Sequence, residues 1–236
     1  MDIVRPELVW MTVVGLPLVA VLGACGSNPR SSPANSGSAA PEAGRAPATS
    51  EPDGRPAIVA FGDSLTAGHG VEPGQSYPDC LQRLIDAKKL PYQVINAGLS
   101  GDTTSGGLVR LEGVISYKPR VVILEFGGND GLRGLPLDTT RANLEEMIVK
   151  LKAAGAEVVL AGMTLPPNYG PEYIAKFEQI YRDLAKTHKL TLIPFLLEGV
   201  GGVEKYMQPD GLHPNAAGCA RVAATVMRYL EPLLRG

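Results

Sequence analysis

The sequence predicts a doubly wound α/β sandwich, in which helices cover both faces of a five-stranded parallel sheet. Short apolar runs alternate with amphipathic segments five times along the chain. Several of the apolar runs are continuous and β-branched, as at 121–124, which is typical of strands buried on both faces. Loops rich in Gly, Asp and Asn follow the strands, and in such sheets this is the edge that binds ligands.

Each strand is predicted from a short apolar run, and each helix from apolar residues at helical spacing. The strands are expected at 57–61, 93–97, 120–126, 157–162 and 190–195. The helices are expected at about 76–89, 105–117, 138–154, 171–188 and 214–234. The third helix begins with Asp138, a capping residue that directly precedes the helical pattern.

The N-terminal residues 1–25 are predicted to be a signal peptide of the lipoprotein type. Residues 8–24 are apolar throughout, and about 17 such residues fit a secretory segment better than a membrane span. The run Leu22-Gly-Ala-Cys25 resembles a bacterial lipobox, which makes Cys25 the expected site of lipidation. The acidic residues near the start leave an ordinary signal peptide or an anchor helix as the alternative. Each interpretation predicts export, and the lipoprotein interpretation predicts membrane anchoring in the bacterial periplasm or cell envelope.

Residues 26–56 are predicted to be a disordered tether. They are rich in Ser, Pro, Ala and Gly and contain no aromatic or large aliphatic residue, so they cannot bury enough apolar surface to fold. The folded domain is therefore expected at 57–236, as one domain. The net charge is −2 and no basic run is present, which excludes nucleic acid as the expected partner.

The stretch AFGDSLTAG, residues 60–68, has two interpretations. Gly, Asp and Ser are ordinary turn residues, and the same residues could present Ser64 as a nucleophile. A nucleophilic serine needs a base, and His213 follows Asp210 at a spacing that lets the carboxylate bind one ring nitrogen. His69 is expected at the surface and His188 at a helix end. The Asp-Gly turn and the His-Pro helix start remain a structural alternative for the Asp210–His213 segment.

Four sequence blocks in order resemble the SGNH/GDSL hydrolase family. The blocks are GDSL at 62–65, GLSGDTT at 98–104, GGND at 127–130 and DGLHPN at 210–215. The segments GGNDGLRG (127–134) and LPPNYG (165–170) are similar to the branch called thioesterase I, lysophospholipase L1 or arylesterase. This resemblance covers residues 57–236 and implies a flavodoxin-like three-layer α/β/α sandwich with a five-stranded parallel sheet, the SGNH hydrolase fold.

The resemblance also implies a role for each motif residue. Ser64 is expected to be the nucleophile, His213 the general base and then acid, and Asp210 the residue that orients His213. The oxyanion hole is expected from the backbone N–H groups of Ser64 and Gly101 and the side-chain amide of Asn129. The implied substrates are aryl or short-chain esters, lysophospholipids or acyl thioesters, and no metal or other cofactor is implied.

Two other functions remain as alternatives. The chain could be a metal-dependent phosphoesterase that uses acidic, amide and imidazole ligands, namely Asp63, Asp102, Asn129, Asp130 and His213. Two-metal sites usually need more histidines than this chain has. The chain could also be a non-catalytic domain that binds esters.

Three further expectations concern specificity and assembly. The loop GLRGLP, residues 131–136, is predicted to be mobile and to close Leu132 and Leu135 on an acyl chain, although a plain surface loop is the alternative. Cys80 and Cys219 are a candidate disulfide, because the flavodoxin-like strand order places the first and last helices on one face; two free thiols buried in the helices are the alternative. We also expect a monomer whose membrane contact is made by the lipidated N-terminus.

Overall fold

The computed structural model describes residues 53–235, which form a five-stranded parallel sheet between two layers of helices. The strands are β1 (Ala57–Gly62), β2 (Gln93–Gly98), β3 (Val121–Glu125), β4 (Glu157–Ala161) and β5 (Thr191–Ile193). Their order across the sheet is β2-β1-β3-β4-β5, and all four pairings are parallel. The flavodoxin-like α/β class predicted from the sequence is confirmed.

Residues 53–235 contain seven α-helices, six of them between strands and the last after β5. They are α1 (Ser64–Ala67), α2 (Tyr77–Ala87), α3 (Thr104–Ser116), α4 (Gly128–Leu132), α5 (Leu137–Ala153), α6 (Pro171–His188) and α7 (Ala216–Leu234). Two single turns of 3₁₀ helix lie at Pro167–Tyr169 and Glu204–Tyr206. Helices α2 and α7 pack together on one face of the sheet, whereas α3, α5 and α6 pack in sequence on the other. Among residues 53–235, every helix is too short or too polar to cross a bilayer.

The apolar runs form the centre of the core. Every residue of β1 and β3 is buried, which explains why their sequences do not alternate between apolar and polar residues. Side chains cap the starts of α2 and α7: Ser76 and Asp79 form a reciprocal capping box at α2, and the side chain of Asn215 accepts from Gly218 N at α7. The predicted cap Asp138 instead lies in the first turn of α5, which begins without a side-chain cap. The predicted long helices begin within two residues of their expected starts.

The two shortest helices differ from the sequence prediction, which placed both segments in the loops that follow β1 and β3. Helix α1 lies against the end of β2, where a Cβ on Gly98 would collide with the backbone of Thr66 and Ala67. Helix α4 starts after Gly127, whose φ of 109° is a left-handed conformation that favours glycine. Glycines thus allow both helices to begin directly after a strand.

The segment before β1 also differs from the prediction. Residues 53–56, assigned to the tether from composition, contact the domain: Asp53 N donates to Gln93 Oε1 at 2.8 Å and Arg55 pairs with Asp86 at 3.2 Å. The predicted signal peptide, Cys25 and the rest of the tether lie outside the described residues.

The structure corrects the candidate disulfide. Cys80 and Cys219 do lie on the neighbouring helices α2 and α7, but both are free, buried thiols. Cys80 Sγ accepts a hydrogen bond from Arg83 at 3.0 Å, and each Sγ lies 3.9–4.0 Å from the carbonyl five residues earlier in the chain. Each thiol therefore has its own partners, and helix placement alone does not produce the bond.

Candidate active site

The predicted triad residues meet at the carboxyl edge of the sheet. Ser64 is the first residue of α1, directly after β1, and its Oγ lies 2.9 Å from His213 Nε2. His213 Nδ1 lies 2.6 Å from Asp210 Oδ2. When Nδ1 carries the imidazole hydrogen and donates it to Asp210, Nε2 is free to accept the proton of Ser64. The geometry is that of a nucleophile, a base and an orienting carboxylate.

Asp210 is held in its ionised form by hydrogen bonds. Its Oδ1 accepts from the backbone N–H groups of Leu212 at 2.9 Å and His213 at 3.0 Å. Partial burial alone would raise the pKa of Asp210, but the bonds to the His213 side chain and to these two amides outweigh it and lower the pKa to about 2. Asp210 is therefore a carboxylate over the whole range in which an imidazole titrates.

The backbone N–H groups of Ser64 and Gly101 are candidate donors for an oxyanion. Within residues 53–235, neither Ser64 N nor Gly101 N donates to another group, and both residues line the cavity described below. Gly101 has a φ of 81°, so a side chain there would be strained. Its carbonyl accepts from Arg133 Nη2 at 2.8 Å, which anchors this turn.

The amide of Asn129 lies in the same cavity but is already engaged. Its Nδ2 donates to Asp63 Oδ2 at 3.1 Å and to the carbonyl of Asp102 at 2.9 Å. Both partners are acceptors, so the nitrogen, and not the oxygen, must face them. One of these hydrogen bonds has to be shared or released before Asn129 can donate to a ligand.

The site opens into an apolar cavity of about 580 Å³. Besides the polar residues named above, it is lined by apolar side chains that include Leu132, Met163, Leu165, Phe195, Leu197 and Leu212. Leu132 is held in place, because its carbonyl accepts from Tyr169 Oη at 2.7 Å. A cavity of this size and lining suits an apolar group attached to the atom that reaches Ser64.

The structure separates the two loop leucines. Leu132 lines the cavity as predicted, but Leu135 does not, because Gly134 turns the chain and Leu135 N donates to the carbonyl of Asp130 at 2.9 Å. Of the two leucines, only Leu132 lines the cavity in this structure; closure of Leu135 on an acyl chain stays a prediction.

The five residues proposed as metal ligands do not converge. The Asp130 carboxylate accepts from Thr104 N and Oγ1 at 2.9 and 2.5 Å, and Asp102 binds Arg110 at 2.7 Å. Across residues 53–235 there is no group of three or more His, Cys, Asp or Glu side chains arranged to hold a metal ion. The geometry therefore does not support the phosphoesterase alternative.

His69 is a neighbour that the sequence did not predict. It is exposed, as expected, but its ring centroid lies 4.6 Å from that of His213. His188 does end α6, and its Nε2 lies 2.9 Å from Glu145 Oε1, far from the cavity lining. The prediction for His69 was incomplete, because the loop after α1 turns back towards the C-terminal loop.

A buried acidic pair, Asp63 and Glu125, lies beneath Ser64. The sequence suggested Asp63 only as a metal ligand of the alternative function and suggested no role for Glu125. Asp63 and Glu125 are 2% and 0% exposed. Burial, which outweighs the hydrogen bonds to Asp63, raises the pKa of Asp63 to about 6. Burial and then the charge of Asp63 raise the pKa of Glu125 well above 4.5. The signal in the sequence was a single acidic residue at the end of an otherwise apolar strand.

Comparisons with known proteins agree with this fold. The sequence model of the GDSL-like Lipase/Acylhydrolase family matches residues 60–221. The chain is 44% identical over 178 residues to Esterase TesA of Pseudomonas aeruginosa, covering 75% of this chain and 89% of that protein. It is 38% identical over 178 residues to Thioesterase 1/protease 1/lysophospholipase L1 of Escherichia coli, covering 75% and 84%.

A solved structure has the same fold. The crystal structure of TesA superposes with a TM-score of 0.73 at 44% identity, covering 75% of this chain and 99% of that one. The family match includes the Ser64 loop, the Gly101 turn, the Asn129 helix and the Asp210–His213 loop. The chain belongs to the GDSL-like lipase/acylhydrolase family.

Proposed function

We propose that this protein is a serine esterase that hydrolyses carboxylic esters through an acyl-enzyme on Ser64. The observation that carries the proposal is the continuous Ser64–His213–Asp210 chain of contacts at the mouth of an apolar cavity. A hydrolase of this kind needs a nucleophile, a base, an orienting acid, oxyanion donors and an acyl pocket. The site supplies a candidate for each.

Acylation follows from these positions. Ser64 Oγ attacks the ester carbonyl carbon while His213 Nε2 takes the serine proton, and the Asp210 carboxylate stabilises the resulting imidazolium. The carbonyl oxygen becomes the oxyanion and accepts hydrogen bonds from the backbone N–H groups of Ser64 and Gly101. The tetrahedral intermediate collapses, the C–O bond to the alcohol breaks, and His213 returns the proton to the leaving alkoxide.

Deacylation repeats these steps with water. His213 takes a proton from water, the hydroxide attacks the acyl-enzyme, and the acid is released as Ser64 regains its proton. Asn129 joins the oxyanion donors when its Nδ2 shares one of the hydrogen bonds now made to Asp63 and Asp102. Each such donor is worth about 10²–10³ in rate.

The substrate is proposed to be an oxygen ester with an apolar acyl group. The cavity lining is largely aliphatic, which favours hydrocarbon over a charged acyl group. Relatives named esterase, lysophospholipase, thioesterase and arylesterase make aryl esters, short-chain acyl esters, lysophospholipids and acyl thioesters the candidates. We favour an oxygen ester such as a lysophospholipid, because acyl-CoA is scarce outside the cytoplasm and the N-terminal sequence predicts export.

The protein is further proposed to be a monomeric lipoprotein of the bacterial periplasm or cell envelope. Cys25 at the end of the apolar N-terminal segment would carry the lipid, and residues 26–52 would tether the domain to the membrane. Replacing Cys25 by Ser should move the protein from the membrane fraction to the soluble fraction. Equal retention of both forms at the membrane would contradict lipid anchoring, and sedimentation of the domain should give the mass of one chain.

A substrate panel tests the esterase proposal. p-Nitrophenyl esters of increasing acyl length, lysophosphatidylcholine and a matched acyl thioester should be hydrolysed by the native protein and not by a Ser64→Ala variant. A fluorophosphonate should label Ser64, and a chelator should leave the rate unchanged. Hydrolysis that persists in Ser64→Ala would overturn the proposal, and chelator-sensitive phosphoester cleavage would favour the metal alternative.

A further inference from the structure

The last residue of β3 places a second carboxyl group directly under the nucleophile turn. Strand β3 pairs with β1 so that Glu125 lies opposite Gly62, the residue before Asp63. A Cβ on Gly62 would collide with Thr66 and with the Glu125 side chain, so a glycine is needed for this close approach. The turn at Gly62–Ser64, which carries the nucleophile, therefore packs directly against the Glu125 side chain.

The two oxygens of Glu125 have different surroundings. Oε2 accepts from Asp63 N at 3.2 Å and from Thr66 Oγ1 at 2.8 Å. Oε1 is buried and receives no hydrogen bond from any donor in residues 53–235. The carboxyl groups of Glu125 and Asp63 are close enough for each to influence the pKa of the other. An ionised carboxylate would leave Oε1 unsatisfied, whereas a protonated one can donate from it.

The charges around the pair favour one shared proton. Arg110 of α3, whose guanidinium reaches the carbonyl of Gly62 beside the pair, is already bound to the Asp102 carboxylate and to the carbonyls of Ala97 and Gly62. Two buried carboxylates without a cation cannot both ionise at low cost. Burial raises the pKa of both groups, and Glu125 is raised further by the charge of Asp63. The higher pKa of Glu125, together with its unsatisfied Oε1, favours Glu125 over Asp63 as the carrier of a proton.

We propose that Glu125 is a positioning residue: a neutral acid that donates its proton to the Asp63 carboxylate, and so holds Asp63 as the single anion that orients Asn129 and faces His213. The inference rests on the proposed esterase function. Asp63 accepts from Leu65 N at 3.0 Å and from Asn129 Nδ2 at 3.1 Å, which fixes the first turn of α1 and the amide together.

Asp63 has a further effect on the reaction. When the proton of Ser64 passes to His213, a positive charge forms on the imidazole, and the buried anion of Asp63 attracts it. The proton on Glu125 does not move during this step, so the pair keeps one negative charge throughout. Asp63 thus adds to the stabilisation that Asp210 provides through its contact with Nδ1.

The titratable and charged groups around the Asp63–Glu125 pair come from several neighbouring helices and loops. They are Tyr77 on α2, the Arg110–Asp102 pair at α3, Asp130 on α4, Tyr181 on α6, and His69, Asp210 and His213 in the loops. Among them, His213 is the group whose protonation changes during the reaction.

Two substitutions at Glu125 test whether the side chain acts as a neutral hydrogen-bond donor or as an ionised carboxylate. Glu125→Gln keeps the shape, an acceptor for Thr66 and a donor for Asp63, so we expect kcat/KM at about pH 8 to fall less than about threefold. Glu125→Leu removes the donor, and kcat should fall about 10–100-fold with little change in KM, because the substrate cavity is untouched. A Gln variant as impaired as the Leu variant would overturn the proposal.

Two substitutions of buried aspartates test the link to His213. Asp63→Asn removes the anion, so we expect kcat/KM to fall and its acid limb to move to lower pH, since an imidazolium beside a neutral group is less favourable. Asp130→Asn is the matched control, because Asp130 is also buried and next to Asn129 but binds Thr104. Equal displacement of the limb in both variants, or none in either, would overturn the role of Asp63.

An infrared measurement tests the proton independently of activity. The difference spectrum between native protein and Glu125→Gln at about pH 8 should contain the carbonyl band of a protonated carboxylic acid. Its absence would overturn the proposal even if both proteins hydrolyse esters or the Leu variant fails to fold. If the native protein hydrolyses no ester while the band is present, the proposed function fails and the protonated Glu125 stands.

Discussion

Gln208 joins the loop that carries His213 to the loop that follows Ser64. Its Nε2 donates to the carbonyl of His69 at 2.7 Å and to the carbonyl of Pro214 at 2.9 Å, and its own N–H donates to His213 O at 2.8 Å. The two loops are 139 residues apart in sequence. One side chain therefore helps to hold His213 at 2.9 Å from Ser64.

Removing this side-chain amide should misalign the base without touching the reacting atoms. We expect Gln208→Leu to lower kcat/KM about 10-fold, since small displacements of catalytic groups are costly. Gln179→Leu is the matched control, because Gln179 is an exposed residue of α6 that bonds only to its own helix neighbours. Ester hydrolysis by the two variants is the measurement, and equal rates would contradict the positioning role of Gln208.

Removal of the nucleophile or the base should lower kcat more than removal of the Asn129 amide. Ser64→Ala and His213→Ala each remove a member of one catalytic unit, so we expect losses of at least about 10⁴-fold in kcat. Asn129→Ala removes one of three donors and should cost only about 10²–10³-fold. Steady-state rates with a p-nitrophenyl ester distinguish these cases. Equal losses in all three variants would mean that Asn129 does more than donate one hydrogen bond.

Much of the fold could be predicted because its signals are local or periodic. The continuous apolar runs and the helical spacing locate the five strands and five long helices, and the strand order follows for this class of fold. The sequence places α1 and α4 in loops, because helices of four and five residues are too short to show a period. Fold class and motif positions therefore follow from sequence, whereas short connecting helices do not.

Contacts between distant side chains were harder to predict. Ser64, Asp210 and His213 were found because motif blocks carry them, but Gln208 and His69 meet only after two loops fold together. In the sequence, Glu125 is only the end of an apolar strand. Its position next to Asp63 follows from the register of β1 and β3, which the sequence does not give. The thiols of Cys80 and Cys219 follow the same rule, because helix positions do not determine where side chains point.

The two loop leucines should now behave differently towards acyl length. Leu132→Ser places a hydroxyl in the cavity lining, so we expect kcat/KM for long-chain esters to fall about 10-fold while acetyl esters change little. Leu135→Ser is the matched control within the same loop, because Leu135 does not line the cavity. A panel of p-nitrophenyl esters measures both, and a loss that is independent of acyl length would contradict an acyl-binding role for Leu132.

The protonation of Glu125 should also appear in the stability of the protein. Burial raises the pKa of Glu125 well above 4.5 in the folded state, whereas the unfolded chain has an ordinary carboxyl. Between these two pKa values the folded state binds the extra proton, so the contribution of Glu125 is fully present below about pH 4.5 and is lost as the pH rises. The slope for one proton is up to about 1.4 kcal/mol per pH unit.

Glu125→Gln removes this dependence, because a glutamine does not titrate in either state. The free energy of unfolding of the Gln variant relative to the native protein should therefore increase steadily between about pH 5 and pH 8. Urea unfolding at several pH values measures the difference, and Glu157→Gln, a change at the exposed first residue of β4, controls for the loss of a surface carboxyl. Parallel curves for the native protein and Glu125→Gln would mean that Glu125 is ionised in the folded state, since only a proton taken up on folding makes their difference depend on pH.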